Sequence, residues 1–294
     1  VRENSEKLAD SSIVEYLFRI YPVKNTNQQS MYYKNKVVWI TGASSGIGEA
    51  LAYALNKKGA RLILSARREE QLKRVKANCD GNPDDIAILQ LDLTETTSLA
   101  DKAKDAETLF GAVDILFNNG GISQRALALD AELDSVRHLM EINFFGTIAL
   151  TKEVVPGMIE RGHGHIVVTS SVMGKIGTKY RSAYAASKHA LHGWFDSFRQ
   201  EVQDQGVDVT LVCPGYVKTE ITKNAITADG SAYDKMGSAH KKAMTPEQFA
   251  DKLLPKVSAG KEEVYIGGKE IATVYIKRLS PRLLNKILKR VKVT

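Results

Sequence analysis

The chain has 294 residues, 43% of them hydrophobic and 26% charged, a composition that excludes wholesale disorder and suits one large α/β unit with extensions. Its formal charge of +7 is concentrated late, after Lys277, where Arg278, Arg282, Lys286, Lys289, Arg290 and Lys292 face no acidic residue, and no nucleic-acid partner is expected. The two cysteines, Cys79 and Cys213, show neither metal nor redox spacing, which points to a reducing, cytoplasmic setting without a metal centre.

No run approaches the roughly 18–20 apolar residues of a membrane span. The patch Ile13 to Tyr21 is broken by Glu15 and Arg19 and preceded by acidic residues, so it fits a secretory signal poorly. Residues 1–30, ahead of Met31, read as an N-terminal extension or upstream segment.

The first clear strand is Val37-Val38-Trp39-Ile40. It runs into Thr41-Gly42-Ala43-Ser44-Ser45-Gly46-Ile47-Gly48 and then into a helical pattern, Glu49 to Lys58. Such a junction presents free backbone N–H groups and the positive end of a helix dipole to a phosphate. Gly42, Gly46 and Gly48 allow the tight turn and the close approach of a pyrophosphate. After the turn at Gly59, a second strand spans Arg61 to Ser65. Where an NAD site would place an acidic residue to receive the ribose hydroxyls, this chain has Ala66-Arg67-Arg68. Two guanidiniums suit a 2′-phosphate, with Arg67 the stronger candidate, and so favour NADP. The plainer alternative is that both arginines open a solvated helix with Glu69 and Glu70.

Ile86 to Leu91 reads as a third strand, ending at Asp92-Leu93, where an adenine edge would lie. A helix from Thr96 to Phe110 precedes a fourth strand, Val113 to Phe117, which stops at Asn118-Asn119-Gly120-Gly121. The crevice beyond such strand ends is where ligands bind. Glu132 to Arg161 reads as one long helical region despite Gly146 and Pro156. Within it Asn143 stands between Ile142 and Phe144, a candidate for a buried polar role.

A fifth strand, Gly164 to Thr169, delivers Ser170 and Ser171, and an Ala-rich helix follows from Ala183 to Gln203. Tyr184 and Lys188 stand four apart and share a helical face. An ammonium beside a phenol favours the phenolate and pulls its pKa down from about 10, which suits proton exchange near neutrality. Ser171 can place its hydroxyl against the same reacting oxygen. This is acid/base chemistry for a carbonyl or alcohol, although the Tyr/Lys spacing alone would also fit a surface turn. Tyr180 has no lysine four residues on. Lys175, Lys179 and Arg181, on the preceding loop, could meet an acidic substrate but read more simply as solvated cations.

The sixth strand is Val207 to Cys213, followed by Pro214-Gly215-Tyr216-Val217-Lys218-Thr219. Residues 220–245 are polar, hold Gly230 and Gly237, and suggest a mobile flap over a pocket. Thr245 and Pro246 mark the cap and first position of another helix, and Glu263 to Ile266 fits a last strand. In the basic tail, Leu279, Leu283, Leu284, Ile287, Leu288 and Val291 recur at helical spacing. That stripe predicts a helix packed on its own domain or on a second subunit, with weak contact to a membrane surface as the alternative. There is no internal repeat and no linker to a second domain.

With these pieces in order, the stretch from Lys34 to Gly268 resembles the short-chain dehydrogenase/reductase family. The family's T-G-x-x-x-G-x-G matches Thr41 to Gly48. Its N-N-A-G matches Asn118 to Gly121, with Gly120 in place of alanine and extra backbone freedom expected there. Its active-site asparagine, serine, tyrosine and lysine fall on Asn143, Ser171, Tyr184 and Lys188, and its P-G on Pro214-Gly215. The resemblance implies a single-domain Rossmann-type doubly wound parallel sheet of about seven strands with helices on both faces. Its domain would cover residues 31–268, with 269–294 a basic C-terminal extension, and it would form a homodimer or homotetramer.

The resemblance also implies an NADP(H)-dependent oxidoreductase acting on a carbonyl/alcohol pair. Tyr184 would exchange the proton, Lys188 would hold the nicotinamide ribose and lower the tyrosine's pKa, Ser171 would orient the carbonyl, and Asn143 would bind a water linking Lys188 to solvent. Cofactor contacts would come from Gly42, Ser44, Ser45, Gly46, Ile47, Gly48, Arg67, Arg68, Asp92, Leu93, Asn119, Gly120, Tyr184, Lys188, Pro214 and Gly215. Val217 and Thr219 would meet the carboxamide. A catalytically idle NADP-binding regulator or scaffold on the same fold is the competing reading, although an idle relative would be expected to lose one of the four polar residues.

Overall fold

The computed structural model describes residues 31–233 and 243–290. The expected extension over residues 1–30, the part of the polar stretch that holds Gly237, and Val291 and Lys292 of the tail lie outside the described residues.

Seven strands form one sheet: β1 Val37–Thr41, β2 Arg61–Ser65, β3 Ile86–Ile88, β4 Ile115–Asn118, β5 Gly164–Thr169, β6 Val207–Pro214 and β7 Glu263–Ile266. Their order is β3-β2-β1-β4-β5-β6-β7, and every neighbouring pair is parallel. Parallel neighbours need long crossovers. The described residues supply them as helices α1 Gly46–Lys57, α2 Glu69–Ala77, α3 Leu99–Phe110, α4 Leu133–Met140, α5 Gly146–Arg161, α6 Ser182–Val202 and α7 Pro246–Ser258, followed by α8 Ala272–Leu279 and α9 Pro281–Arg290. The strand order reverses between β1 and β4, so the loops after these two strands diverge and leave a crevice at the carboxyl edge.

Helices cover both faces, which is why the strands read as unbroken apolar runs rather than alternating ones. Val38 and Ile40 of β1 cluster with Leu51 and Leu55 of α1 and with Phe249 and Leu253 of α7. Val37 and Trp39, pointing the other way, cluster with Leu99 of α3, Leu150 and Val154 of α5 and Phe195 of α6. The buried Trp39 Nε1–H donates to Ser65 Oγ at 2.8 Å, and Ser65 Oγ donates to the Leu89 carbonyl at 2.6 Å. Strand β3 ends at Ile88, three residues short of the expected Leu91. The Leu89 and Leu91 N–H groups still donate to the Leu64 and Ala66 carbonyls, but β2 ends at Ser65 and regular pairing ends with it.

Two other expectations are refined. The region Glu132 to Arg161 is continuous but not uniform, because a π turn over Glu141–Phe145 separates α4 from α5. Of the stretch expected to be a mobile flap, residues 220–233 are anchored: Thr222, Ala225 and Ile226 are buried, and Ile226 bridges to Gln124 and Ala232. The apolar side chains in this polar stretch draw it onto the domain. Helix α7 starts as expected, with a reciprocal cap in which Thr245 Oγ1 accepts from Gln248 N at 3.3 Å and Gln248 Oε1 accepts from Thr245 N at 3.1 Å. Caps of this kind are worth about 1 kcal/mol. The tail stripe forms two helices, because Pro281 opens α9 after the break at Ser280. No helix of the described residues is long and apolar enough to cross a membrane.

Candidate active site

The glycine-rich turn after β1 is built around two left-handed residues, Gly42 at φ +64° and Gly46 at φ +59°. A Cβ on Gly48 would stand 2.2 Å from the Gly42 carbonyl oxygen, so the start of α1 closes tightly over the loop. Helix α1 begins at Gly46, three residues ahead of the expected Glu49, and so takes these glycines into its first turn. Its cap residue, Ser45, makes no side-chain capping bond, leaving the first N–H groups for an anion. Arg74 of α2 holds the loop from behind, donating to both Glu49 carboxylate oxygens at 2.7 and 2.9 Å and to the Ser44 carbonyl at 3.2 Å.

Thr41 fastens this loop to the neighbouring one. Its Oγ1 accepts from the N–H groups of Asn119 at 3.0 Å and Gly120 at 2.9 Å, and Asn119 Nδ2 returns a bond to the Thr41 carbonyl at 3.2 Å. Gly120 does not use a left-handed conformation, which corrects the expected reason for a glycine there. A Cβ on it would stand 2.8 Å from Leu93 Cδ1, so Gly120 makes room for that leucine. Asp92 accepts from Thr94 N and Oγ1 at 3.0 and 2.9 Å. Arg67 and Arg68 are exposed beyond β2. Glu69 and Glu70 pair with Lys73, at 3.1 and 2.8 Å, rather than with these arginines.

The polar quartet converges from three places: the loop after β5, helix α6 and the π turn before α5. Ser171 ends the extended segment after β5 and accepts from Met173 N at 3.1 Å, and its hydroxyl is near enough to Tyr184, at the start of α6, to act on the phenol. One turn on, Lys188 Nζ donates to the Thr169 carbonyl at 2.8 Å. Asn143 is wholly buried in the π turn, a helix irregularity frequent at functional sites. Its Oδ1 accepts from Ile122 N at 2.8 Å, and its Nδ2 donates to the Ile122 carbonyl at 2.9 Å and to Ser187 Oγ at 3.0 Å. A Cβ on Gly121 would lie 3.0 Å from Asn143 Oδ1 and 3.6 Å from Lys188 Nζ, so both polar groups face the same small residue.

The electrostatics differ from the sequence expectation. Burial pushes the Tyr184 phenol above its ordinary value, and Arg181 together with the Ser171 hydroxyl pulls back against that rise. Arg181 Cζ lies 5.6 Å from the ring centroid, and Lys188 Nζ lies 5.9 Å from the same centroid. Lys188 is itself held down to about 8 by burial.

Ser171, Tyr184 and Lys188 meet the loop residues in one cleft of about 780 Å³. Its walls include Gly42, Ser44, Ser45, Gly46, Ile47, Arg67, Arg68, Asp92, Leu93, Asn119, Gly120, Ser171, Tyr184, Lys188, Pro214, Gly215, Val217 and Thr219. Of the residues singled out from sequence, Gly48 and Asn143 stand behind the wall. The cradle fits a dinucleotide: a loop whose glycines leave room for close approach, free N–H groups at a helix start, and two exposed guanidiniums at one end.

Sequence reasoning missed several wall and support residues. Gln124 Oε1 caps α6 by accepting from Ala183 N at 2.8 Å, and Arg125 and Glu270 line the cleft with Ile287 and Leu288 of α9. The only signal for the first two is a polar Ser123-Gln124-Arg125 run soon after the β4 glycines. For Ile287 and Leu288 it is the tail stripe, whose expected packing on its own domain or a second subunit does not say which surface it meets.

The family pattern described as short chain dehydrogenase matches residues 36–230. A Drosophila melanogaster protein described as dehydrogenase/reductase SDR family protein 7-like is 40% identical over 84% of this chain and 78% of its own length. The crystal structure of a short-chain dehydrogenase from Streptomyces avermitilis is 28% identical with a TM-score of 0.75, covering 87% of this chain and 97% of that one. A Burkholderia cenocepacia short chain dehydrogenase, solved in complex with NADP, shares the fold at 24% identity with a TM-score of 0.72, over 87% of this chain and 98% of that one.

Proposed function

The chain belongs to the short-chain dehydrogenase/reductase family, and on that premise we propose that it is an NADP(H)-dependent oxidoreductase of a carbonyl/alcohol pair with Tyr184 as its acid/base. The observation that carries this reading is the buried Tyr184 phenol, flanked by Arg181 and Lys188, in the wall of a cleft that also holds Ser171 and a dinucleotide cradle. Bound nicotinamide would supply the hydride. Tyr184 gives or takes the proton at the substrate oxygen, and Ser171 orients that oxygen. Burial raises the phenol's proton affinity, which suits a donor, while Arg181 and Ser171 stabilise the phenolate left behind. Lys188 holds the ribose, and Asn143 fixes the Ile122 backbone and Ser187 around it.

The same reading gives the cofactor phosphates to the turn from Gly42 to Gly48, the adenine to Asp92 and Leu93, and the carboxamide to Val217 and Thr219. Arg67 and Arg68, which have no carboxylate partner in the salt bridges of α2, favour a 2′-phosphate. Leu129, Leu133 and Phe145, exposed on and around α4, support a homo-oligomer. The unpaired thiols Cys79 and Cys213 suit a cytoplasmic setting.

Tyr184→Phe tests the proposal. The ring and its packing remain, so NADPH should still bind while turnover falls by roughly two to four orders of magnitude. Tyr180→Phe, at a residue 40% exposed, should change little. Near wild-type turnover in Tyr184→Phe, on any ketone or aldehyde the protein reduces, would remove the assigned acid/base.

A further inference from the structure

The cleft has a second cationic end that the cofactor cradle does not use. Arg67 and Arg68 follow β2, whereas Arg125 follows β4, on the other side of β1. The Arg125 backbone is fixed by its N–H to the Ile226 carbonyl at 2.8 Å. Its Nε is buried and has no hydrogen-bond partner among the described residues, and its Cζ lies 5.9 Å from the Tyr233 ring centroid. Arg181, at the head of α6, donates from Nη1 to Ser123 Oγ at 2.7 Å and sits over the Tyr184 ring. Neither guanidinium has a carboxylate partner among the described residues. Burial first, and then repulsion from Arg181, lowers the Arg125 pKa.

Each carboxylate in the cleft wall is engaged elsewhere. Asp92 accepts from Thr94, and Glu270 Oε1 accepts from the N–H groups of Tyr216 at 2.8 Å and Gly268 at 2.9 Å. Lys175, another cation of the loop before α6, is neutralised by Glu263 at 3.2 Å. Two like charges left half-buried without a counterion are costly unless something pairs with them. Arg125 and Arg181 both line the cleft, and a guanidinium can bind a carboxylate or phosphate through two parallel bonds.

Resting on the oxidoreductase reading, we propose that the substrate is a carbonyl compound carrying an anionic group, carboxylate or phosphate, held by Arg125 and Arg181 beside Tyr184. The anion lies close to the reacting carbonyl, because Arg181 lines the cleft with Arg125 and also stands over the Tyr184 ring.

The test uses the full chain with NADPH, oxo-octanoic acids with the ketone at successive positions, and their methyl esters. At least one acid should be reduced with higher kcat/KM than its ester. Arg125→Gln should lower that acid-to-ester ratio by about tenfold to a hundredfold, the loss of one charge-assisted contact, and Arg125→Lys should restore part of it. Because the substitution removes an uncompensated charge, Arg125→Gln should melt no lower than wild type; a lower melting temperature with both substrates impaired alike would make Arg125 structural and overturn the proposal.

A second arm needs no turnover. Octanoate or octyl phosphate, but not octanol, should raise the melting temperature of the wild type and not of Arg125→Gln, and the larger of the two shifts identifies the anion. If esters and acids are reduced equally and no Arg125-dependent shift is seen, the anion site is wrong and the reductase stands. If nothing in the panel is reduced but the shift depends on Arg125, the anion site stands and the reductase reading falls.

Discussion

At the scale of single residues, the proposed NADP preference rests on the two arginines beyond β2. Arg67 and Arg68 are exposed, and the acidic residues beside them are paired with Lys73 instead, so their charge is available to a 2′-phosphate. NADPH should therefore bind well ahead of NADH. Arg67→Gln should weaken NADPH by about tenfold to a hundredfold, from the roughly 1.5–3 kcal/mol of one charge-assisted hydrogen bond, and leave NADH almost unchanged. Fluorescence titration of both cofactors decides this, and equal wild-type affinities would end the NADP assignment. Residues that work through local spacing were legible in the sequence: Tyr184 and Lys188 share a helical face, and the loop glycines are set by backbone conformation. Residues that work through space were not. Gly120 is small because Leu93, from another loop, fills its surroundings, and Arg125 looks like any loop cation until its Nε is seen buried.

At the scale of elements, β2, β5 and β7 are bounded as the sequence implied, because each is a largely apolar run that follows a glycine-containing turn. The π turn at Asn143 left no trace beyond one polar residue among apolar ones, since helical spacing is nearly preserved across it. The segment from Ser170 to Ile176 also depends on a partner outside itself. A Cβ on Gly174 would stand 2.7 Å from His192 Cδ2, so that loop lies directly on the α6 imidazole. His192 Nε2 is 3.5 Å from Cys213 Sγ, and its Nδ1 is buried with no hydrogen-bond partner among the described residues. Burial, and then Lys175, hold His192 down to about 4 from 6.5, against Glu263 and Asp196, which pull it up. The unfolded chain therefore takes up a proton below about pH 6.5, which the folded protein refuses until about pH 4. The stability contributed by neutral His192 is present above that window and lost as pH falls through it, by up to about 3 kcal/mol. Melting temperatures at pH 7.5 and at pH 5 should fall more steeply for wild type than for His192→Gln. Parallel pH slopes would show that the imidazole does not drive the loss.

At the scale of the whole molecule, the C-terminal helices complete the cleft rather than append to it. Leu284 of α9 is buried against Val172 and Ile176, just beyond Ser171, while Ile287 and Leu288 form part of the cleft wall. Arg282, Lys286, Lys289 and Arg290 face outward, and Lys277 Nζ donates to the Lys175 carbonyl at 2.6 Å. Of the described residues of the apolar stripe, Leu284 is buried and Ile287 and Leu288 are half-buried against their own domain, while Leu279 and Leu283 stay exposed, at 86% and 49%. Truncation after Ser280 uncovers the seat of Leu284, a burial worth roughly 1.5–3 kcal/mol. For a domain of this size that is several degrees in melting temperature. Because the same cut removes part of the cleft wall and the support under the Ser171 loop, KM should rise and turnover should fall alongside the melting point. A truncated chain that keeps its melting temperature, native mass and kinetics, yet no longer sediments with anionic vesicles, would assign the helix to a membrane surface instead. Loss of native mass with kinetics unchanged would assign it to a subunit interface. The three outcomes separate because a wall of the cleft, a membrane contact and an interface each couple to a different measurement.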